Sequence, residues 1–449
     1  MIKRVEGIKK LFNLRSQLWL AWAFLALVTI IYSLEMSHQA ILRYDTFKAT
    51  AFDLGNMDQV LWNTIHGRLF QFTNQAIDWY GPPTRLAIHF EPIILPLSLL
   101  YAFHADPRIL LVFQTLALAS GTVPVFLLTR KLIPAWPLLA ALMATAYLLS
   151  PALLGLNIFD FHPVALATPL LLFALLALEH RRVAWFVILC VLAACTKEDV
   201  PLAIALLGIL VMWKYKLPRL GLALLIGGAL WSLLAFKVII PHFYPGLQAS
   251  NFWYRYEELG SSPGQAILNL FVKPWLFFGL FFTMDRVYYL ASLLRSTGFL
   301  PLLAPEWLLP TLPSLAVNLL STDPLLYSGV YHYNAAIIPF IMMAAIMGTR
   351  RLLSQWQAWR EEDTIPDTPD APVVAAAHAS PWPLFASITA FARRRLQKLS
   401  NLRFLAAVKD RFARLALPAR RDRQWARFSM RMRPLARSLP TFRLQWVLF

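Results

Sequence analysis

An all-α, polytopic membrane protein of about ten transmembrane helices is the fold class this sequence predicts. Three observations carry it. Hydrophobic residues make up 58% of the chain and charged ones only 15%, a balance outside that of soluble domains. The apolar residues fall in long continuous runs rather than in the alternating ten-residue pattern of a barrel. Lys and Arg gather in every second short turn between those runs, as they do in the cytoplasmic loops of membrane proteins.

In chain order the apolar runs are 18–34, 109–129, 135–150, 164–178, 183–195, 200–213, 220–240, 276–294, 298–318 and 334–348. They lie near the roughly 20 residues that a span needs; several are short, so that flanking residues or a locally thinned bilayer must make up the difference. The run 276–294 contains Asp285 and Arg286, so a helix lying on the surface is an alternative there. The first run follows a basic segment but lacks a small-x-small cleavage site at Leu34-Glu35-Met36, which reads as an uncleaved anchor. Ile93–Phe103 is short and flanked or interrupted by Pro92 and Pro96, so it reads as a re-entrant or surface helix.

Charge orients the runs. Lys3, Arg4, Lys9, Lys10 and Arg15 precede the first, and Arg130-Lys131, Arg181-Arg182, Lys214, Arg295 and Arg350-Arg351 mark later turns of the same side. The turns 151–163 and 319–333 hold no Lys or Arg. Ten spans then place both ends in the cytoplasm. Residues 352–384 read as an acidic, Pro/Ala-rich linker. Residues 385–449 read as a basic amphipathic tail. From Ala371 onward sixteen Lys/Arg face only Asp410 and Asp422, supplying most of the net charge of +18. Beside a membrane domain, anionic lipid is its simpler partner. Nucleic acid is the lesser one, since no recognition fold is visible.

The opposite side collects ionisable residues. A charge near lipid is costly and therefore a functional candidate. In the first loop, Phe52, Met57, Val60, Leu61 and Ile65 recur at helical spacing, which suits an interfacial helix. Asp53 stands at its start, either as a helix cap or as a chemical group. His89 and Glu91 flank Phe90 before Pro92; they suit a ligand or a helix cap. Asp160 and His162, two apart, project to one side of an extended chain, where they can hold a divalent cation or cap a helix. Lys197, Glu198 and Asp199 form a short charged turn, and His332 lies between Tyr331 and Tyr333. Arg255 sits among Trp253, Tyr254 and Tyr256, a set that suits sugar stacking, a lipid phosphate or an interfacial hairpin. Cys190 and Cys195 read as small buried hydrophobes. No zinc spacing, phosphate loop or dinucleotide fingerprint is present.

The motifs Ala-Phe-Asp-Leu-Gly (51–55), His-Phe-Glu-Pro (89–92), Thr-Lys-Glu-Asp (196–199), Leu-Leu-Ala-Pro (302–305), Asn-Leu-Leu-Ser (318–321) and Tyr-His-Tyr (331–333) resemble an uncharacterised bacterial membrane-protein family, a domain of unknown function. In order and topology, residues 18–350 also resemble the C-type-fold glycosyltransferases. That resemblance implies a sugar donor on a polyprenyl phosphate and transfer on the outer face of the bacterial inner membrane. It matches Asp53 to the catalytic Asp of the first loop. Asp160 matches the second-loop acid, with His162 in place of a second Asp. His89 and Pro92 resemble a His-Pro-Pro-Leu motif that Phe90 and Glu91 interrupt.

The implied chemistry casts Asp53 as base toward an acceptor hydroxyl. Asp160, His162 and Glu198 are the candidate set for Mg or Mn, Asp160 and Glu198 being also candidate catalytic acids. His89, Glu91, Lys197, Asp199, Arg255 and His332 are the candidate substrate contacts. Two rivals remain: a transporter or flippase of lipid-linked or anionic solutes, with charges buried midway along spans, and a non-enzymatic scaffold on the same fold.

Overall fold

The computed structural model describes residues 14–73, 84–243 and 252–362, which contain helices and no strand. Helix α1, Leu14–Asp45, runs 32 residues without Pro or Gly, about 48 Å at 1.5 Å per residue. Its stripe of Ala21, Leu25, Tyr32, Met36 and Ala40 is buried, while Trp19, Leu27, Ile30 and Leu34 are exposed. The helix thus extends past the expected run, 18–34, and delivers Arg43 to its far end.

A π-helical turn, Ala51–Gly55, leads into α2, Asn56–Ile65. The expected interfacial helix does not rest its apolar side on lipid. Met57, Val60 and Leu61 are buried in a small second core with Ile94 and Leu97 of α3, Ile94–Phe103. Tyr101 of α3 donates a 2.7 Å hydrogen bond to Asp58, so Asp58 is tied to its neighbour rather than free in solvent.

Asp106 caps α4, Pro107–Ser120, and α5, Thr122–Leu132, continues it. Then come α6, Pro137–Leu148, and α7, Pro151–Ile158, bent 47° at the break Leu149-Ser150 just before Pro151. Next are α8, Ala167–Glu179, α9, Val183–Ala194, α10, Val200–Tyr215, and α11, Pro218–Leu234. A π turn carries α11 into α12, Ile240–Phe243.

The α10–α11 contact is made by glycines. A Cβ on Gly221 would lie 2.4 Å from the Gly208 carbonyl oxygen, and one on Gly228 2.3 Å from that of Pro201. Small residues let helix backbones meet this closely, the usual device in membrane bundles. Gly221→Val is expected to destabilise the chain by about 1–3 kcal/mol through overpacking, read as a lower thermal midpoint in detergent.

The last third departs most from the expected spans. The run 276–294 is divided between α14, Pro274–Phe281, and α15, Met284–Arg295, and α13, Pro263–Val272, precedes it. Trp253–Val272 and Pro274–Phe281 are bent by 96°. The run 298–318 is two 3-10 segments, Leu300–Leu303 and Pro305–Thr311, before α16, Leu312–Leu319. Pro301, Pro305, Pro310 and Pro313 each lack the N–H that a continuous α-helix requires. Helix α17, Ile338–Glu362, closes the described region. The remainder of the linker 352–384 and the tail 385–449 lie outside the described residues.

Among the described residues, three helical segments are long and apolar enough to cross a membrane singly: Leu14–Asp45, Pro107–Leu132 and Pro218–Phe243. Two bent pairs raise this to five, and four more apolar helices are shorter. At one end of the bundle Glu306 accepts from Lys214, at 2.8 Å, and from Arg351, joining α10 to α17. The candidate site lies among loops away from this pair.

Candidate functional site

The site begins with a capping pattern. Thr50-x-x-Asp53 has the form of a capping box, in which the acid accepts the N–H of the cap residue. Thr50 does cap the turn, its hydroxyl oxygen accepting from Asp53 N at 3.0 Å. The Thr50 N–H, however, donates to Asp160 Oδ2 at 2.7 Å. Asp160 thus replaces Asp53 in the box, and Asp53 is not the helix cap. The Thr50 hydroxyl lies 2.7 Å from Asp160 Oδ2 and 2.9 Å from Asp53 Oδ2. It has one hydrogen, so it serves one carboxylate at a time.

The other oxygens are placed as specifically. Arg43 Nε donates to Asp160 Oδ1 at 3.4 Å, and the Arg43 guanidinium lies 5.6 Å from the centre of the Phe159 ring. His162 Nδ1 is 2.8 Å from the backbone carbonyl of Asp160. A carbonyl only accepts, so Nδ1 carries a hydrogen. His162 Nε2 then faces Asp53 Oδ1 at 3.4 Å. The His162 and His332 rings stack at 3.9 Å and 19°. Burial raises the pKa of the Asp53 carboxyl, but the hydrogen bond and charge of His162, then Thr50 and Arg85, outweigh it and leave the group below its ordinary value.

A second group holds the 85–91 turn against the 195–199 loop. Arg85 Nε donates to Glu91 Oε2 at 2.7 Å, and both side chains are buried. His89 Nδ1–H donates to Glu198 Oε1 at 2.8 Å, and Phe90 N–H to Glu198 Oε2 at 3.1 Å. Burial raises the Glu198 pKa, yet His89 and then Lys197 bring it below the ordinary 4.5, to about 2. A carboxyl depressed in the fold contributes stability above its ordinary pKa, which is lost as pH falls toward the folded value. The stabilisation by Glu198 is therefore expected to fade from about pH 4.5 down to about 2. Glu198→Gln should lower the unfolding midpoint at pH 7 and narrow its gap to the parent chain at pH 3.

Lys197 and Asp199 form a third group, paired at 3.8 Å. Burial lowers the Lys197 pKa, but Asp199 and Glu198 overcome it and raise the group above its usual value. Burial is the first cause of a raised Asp199 pKa and of a His332 pKa held well below its ordinary value. Asp199 Oδ1 and His332 Nδ1 are buried without a hydrogen-bond partner among the described residues. Both residues line one narrow pocket with Lys197, Asn318 and Tyr333. Arg255 closes the edge. It pairs with Asp323 at 3.1 Å and covers the Phe252 ring at 4.8 Å, and Phe252 stacks on His89 at 5.7 Å.

The expected residues therefore gather, though in separate sets. Asp53, Asp160, His162 and His332 share one cluster. His89, Glu91 and Glu198 share another, with Lys197, Asp199 and Arg255 beside it. The donor set considered for Mg or Mn does not fit a metal. Asp160 is spent on Arg43 and Thr50, Glu198 on His89 and Phe90, and no group of three His, Cys, Asp or Glu among the described residues is arranged as ligands. Arg43, Thr50 and Arg85 are the residues that sequence reasoning overlooked. The capping-box spacing signalled Thr50. Nothing local signalled Arg43, whose partner lies 117 residues away.

A family model described as "Predicted membrane protein (DUF2079)" matches residues 43–363. The chain belongs to this DUF2079 family. The matched stretch starts at Arg43 and takes in every candidate residue through His332. No curated protein and no solved structure matches the chain. This DUF2079 protein is thus a helical membrane protein whose family description carries no activity.

Proposed function

We propose that this DUF2079 protein is a glycosyltransferase that moves a sugar from a polyprenyl-phosphate donor to an acceptor hydroxyl on the outer face of the bacterial inner membrane. The observation that carries the reading is the freed Asp53 carboxylate. Its capping duty is taken by Asp160 and Thr50, its lowered pKa leaves it ionised and open to a proton, and part of it stays accessible.

A positioned carboxylate can take the proton of an acceptor hydroxyl as that oxygen attacks the anomeric carbon. The bond from that carbon to the phosphate oxygen breaks, and the electron pair leaves with the phosphate. Fixed cations meet the growing charge; Lys197 and Arg255 are the candidates for this duty. Asp160 holds Thr50 and is assigned a positioning role. No step is routed through a divalent cation.

An apolar groove of about 440 Å³, lined by Ile93, Leu97, Phe113, Leu170, Phe173 and Leu192, supports a lipid-borne donor. Its Ile93 end is bonded to the carbonyl of Cys195, just before Thr196-Lys197-Glu198. That bond ties one wall of the groove to the loop that carries Lys197. The test is transfer from a panel of radiolabelled polyprenyl-phosphate sugars into membrane acceptors, with and without the chain. Transfer that depends on the chain is expected, and a panel without any such transfer counts against the reading.

A further inference from the structure

The segment Pro263–Phe281 does not pack into the bundle, and neither of its two helices is long enough to cross a membrane alone. Helices α13 and α14 have ten and eight residues, about 15 and 12 Å, against a hydrocarbon core of roughly 30 Å. In α14 no residue is buried, and in α13 only Ala266 and Asn269 are. Ile267, Phe271, Trp275 and Phe278 are all more than half exposed.

The chain leaves and returns at the same place. Before the segment, Arg255 pairs with Asp323, Thr322 N–H donates to the Arg255 carbonyl at 2.8 Å, and Tyr256 donates to the Val317 carbonyl at 2.8 Å. After it, Arg286 donates to the carbonyls of Leu319 at 2.7 Å and Ser321 at 2.6 Å. Both tethers thus end on the stretch 317–323, at the site end of the bundle. A segment that crossed would have its ends on opposite sides.

The bend itself excludes a deep insertion. Lys273 stands between the two helices, exposed, at the 96° turn. A charge at the bilayer centre is among the costliest placements. At the headgroup boundary the same ammonium reaches lipid phosphate while its stem and the flanking aromatics lie on acyl chain. Trp275 beside it is the residue type that collects at that depth.

We propose that Pro263–Phe281 is an interfacial elbow, lying in the headgroup boundary of the leaflet on the site side with lipid as its partner, and that it makes no crossing. The elbow is independent of the proposed activity. It places the candidate site near headgroup depth, since Phe252 and Arg255, shortly before the elbow, form the site's edge.

Single cysteines test it: Ser261→Cys, Lys273→Cys and Met284→Cys, with Phe47→Cys marking the site end and Trp359→Cys the opposite end. Labelling uses a membrane-impermeant maleimide on sealed membranes, with the unsubstituted chain as background for Cys190 and Cys195. The proposal expects positions 261, 273 and 284 to react from the side of position 47. Reaction of 261 and 284 from opposite sides would make the segment a span and overturn the proposal. Protection of 273 alone would make it a deep re-entrant loop and overturn it equally. A fluorophore on Phe278→Cys should be quenched more by headgroup-proximal spin-labelled lipid than by chain-end label. Quenching by neither would show that protein covers the elbow, such as a second copy, and would also overturn it.

Discussion

Under the proposed function, Asp53→Asn is expected to lower sugar transfer by about 10²–10⁴-fold, the usual contribution of a general base, and to leave the thermal midpoint close to that of the parent chain. The separation of the two effects follows from the geometry. Thr50 is the helix cap and Asp160 takes the cap N–H, so the turn does not depend on an Asp53 charge. An Asn side-chain oxygen can still face the Thr50 hydroxyl, but an amide cannot take a proton. The measurement is initial transfer rate and unfolding midpoint on the same purified preparation. Equal loss of both would make Asp53 a structural residue, and an unchanged rate would remove it from the chemistry.

Glu91→Ala has the largest expected effect on stability. Arg85 and Glu91 have side-chain exposures of 8% and 2% and meet at 2.7 Å. Removing the acid leaves a guanidinium buried without its counter-charge, which costs about 3–5 kcal/mol. The midpoint of denaturant unfolding in detergent should fall accordingly. Replacing both partners with apolar residues, Arg85→Met with Glu91→Leu, should recover most of the loss, because no uncompensated charge then remains. A double variant as unstable as the single one would show that the pair itself, rather than its charge balance, holds the turn.

The membrane class was legible because a soluble fold has no use for so many continuous apolar runs, and helices formed over most of them. Their ends were less legible. The first helix continued past Leu34 because nothing in Glu35–Asp45 breaks a helix, although its polar residues read as loop. The runs 276–294 and 298–318 carried enough apolar residues for spans, but the first breaks at Phe282-Thr283 and the prolines of the second divide its backbone. Hydropathy counts side chains and does not see missing N–H donors.

The candidate residues were found by chemistry, and most did gather. Their pairings were not legible. Asp160 with Arg43 and Glu198 with His89 are joined across 117 and 109 residues, and no periodicity encodes such distances. The first loop's helix shows the same limit. Its amphipathic pattern was correct, but α3 rather than lipid covers the apolar side. Periodicity tells that a face is buried and not what buries it.

The placement of His332 bears on how the protein is made. Helices emerge from the ribosome in order, and the ring that stacks on His162 is encoded near the end of the described region. Asp53, Asp160 and His162 all precede it in the chain, so until it is made their cluster lacks the ring that covers His162. The buried pair of Arg85 and Glu91 can form early, since only six residues separate them. The turn thus closes through local residues, whereas the site is completed by its most distant segment. A chain interrupted before Tyr331 would present the carboxylates without the ring that stacks on His162.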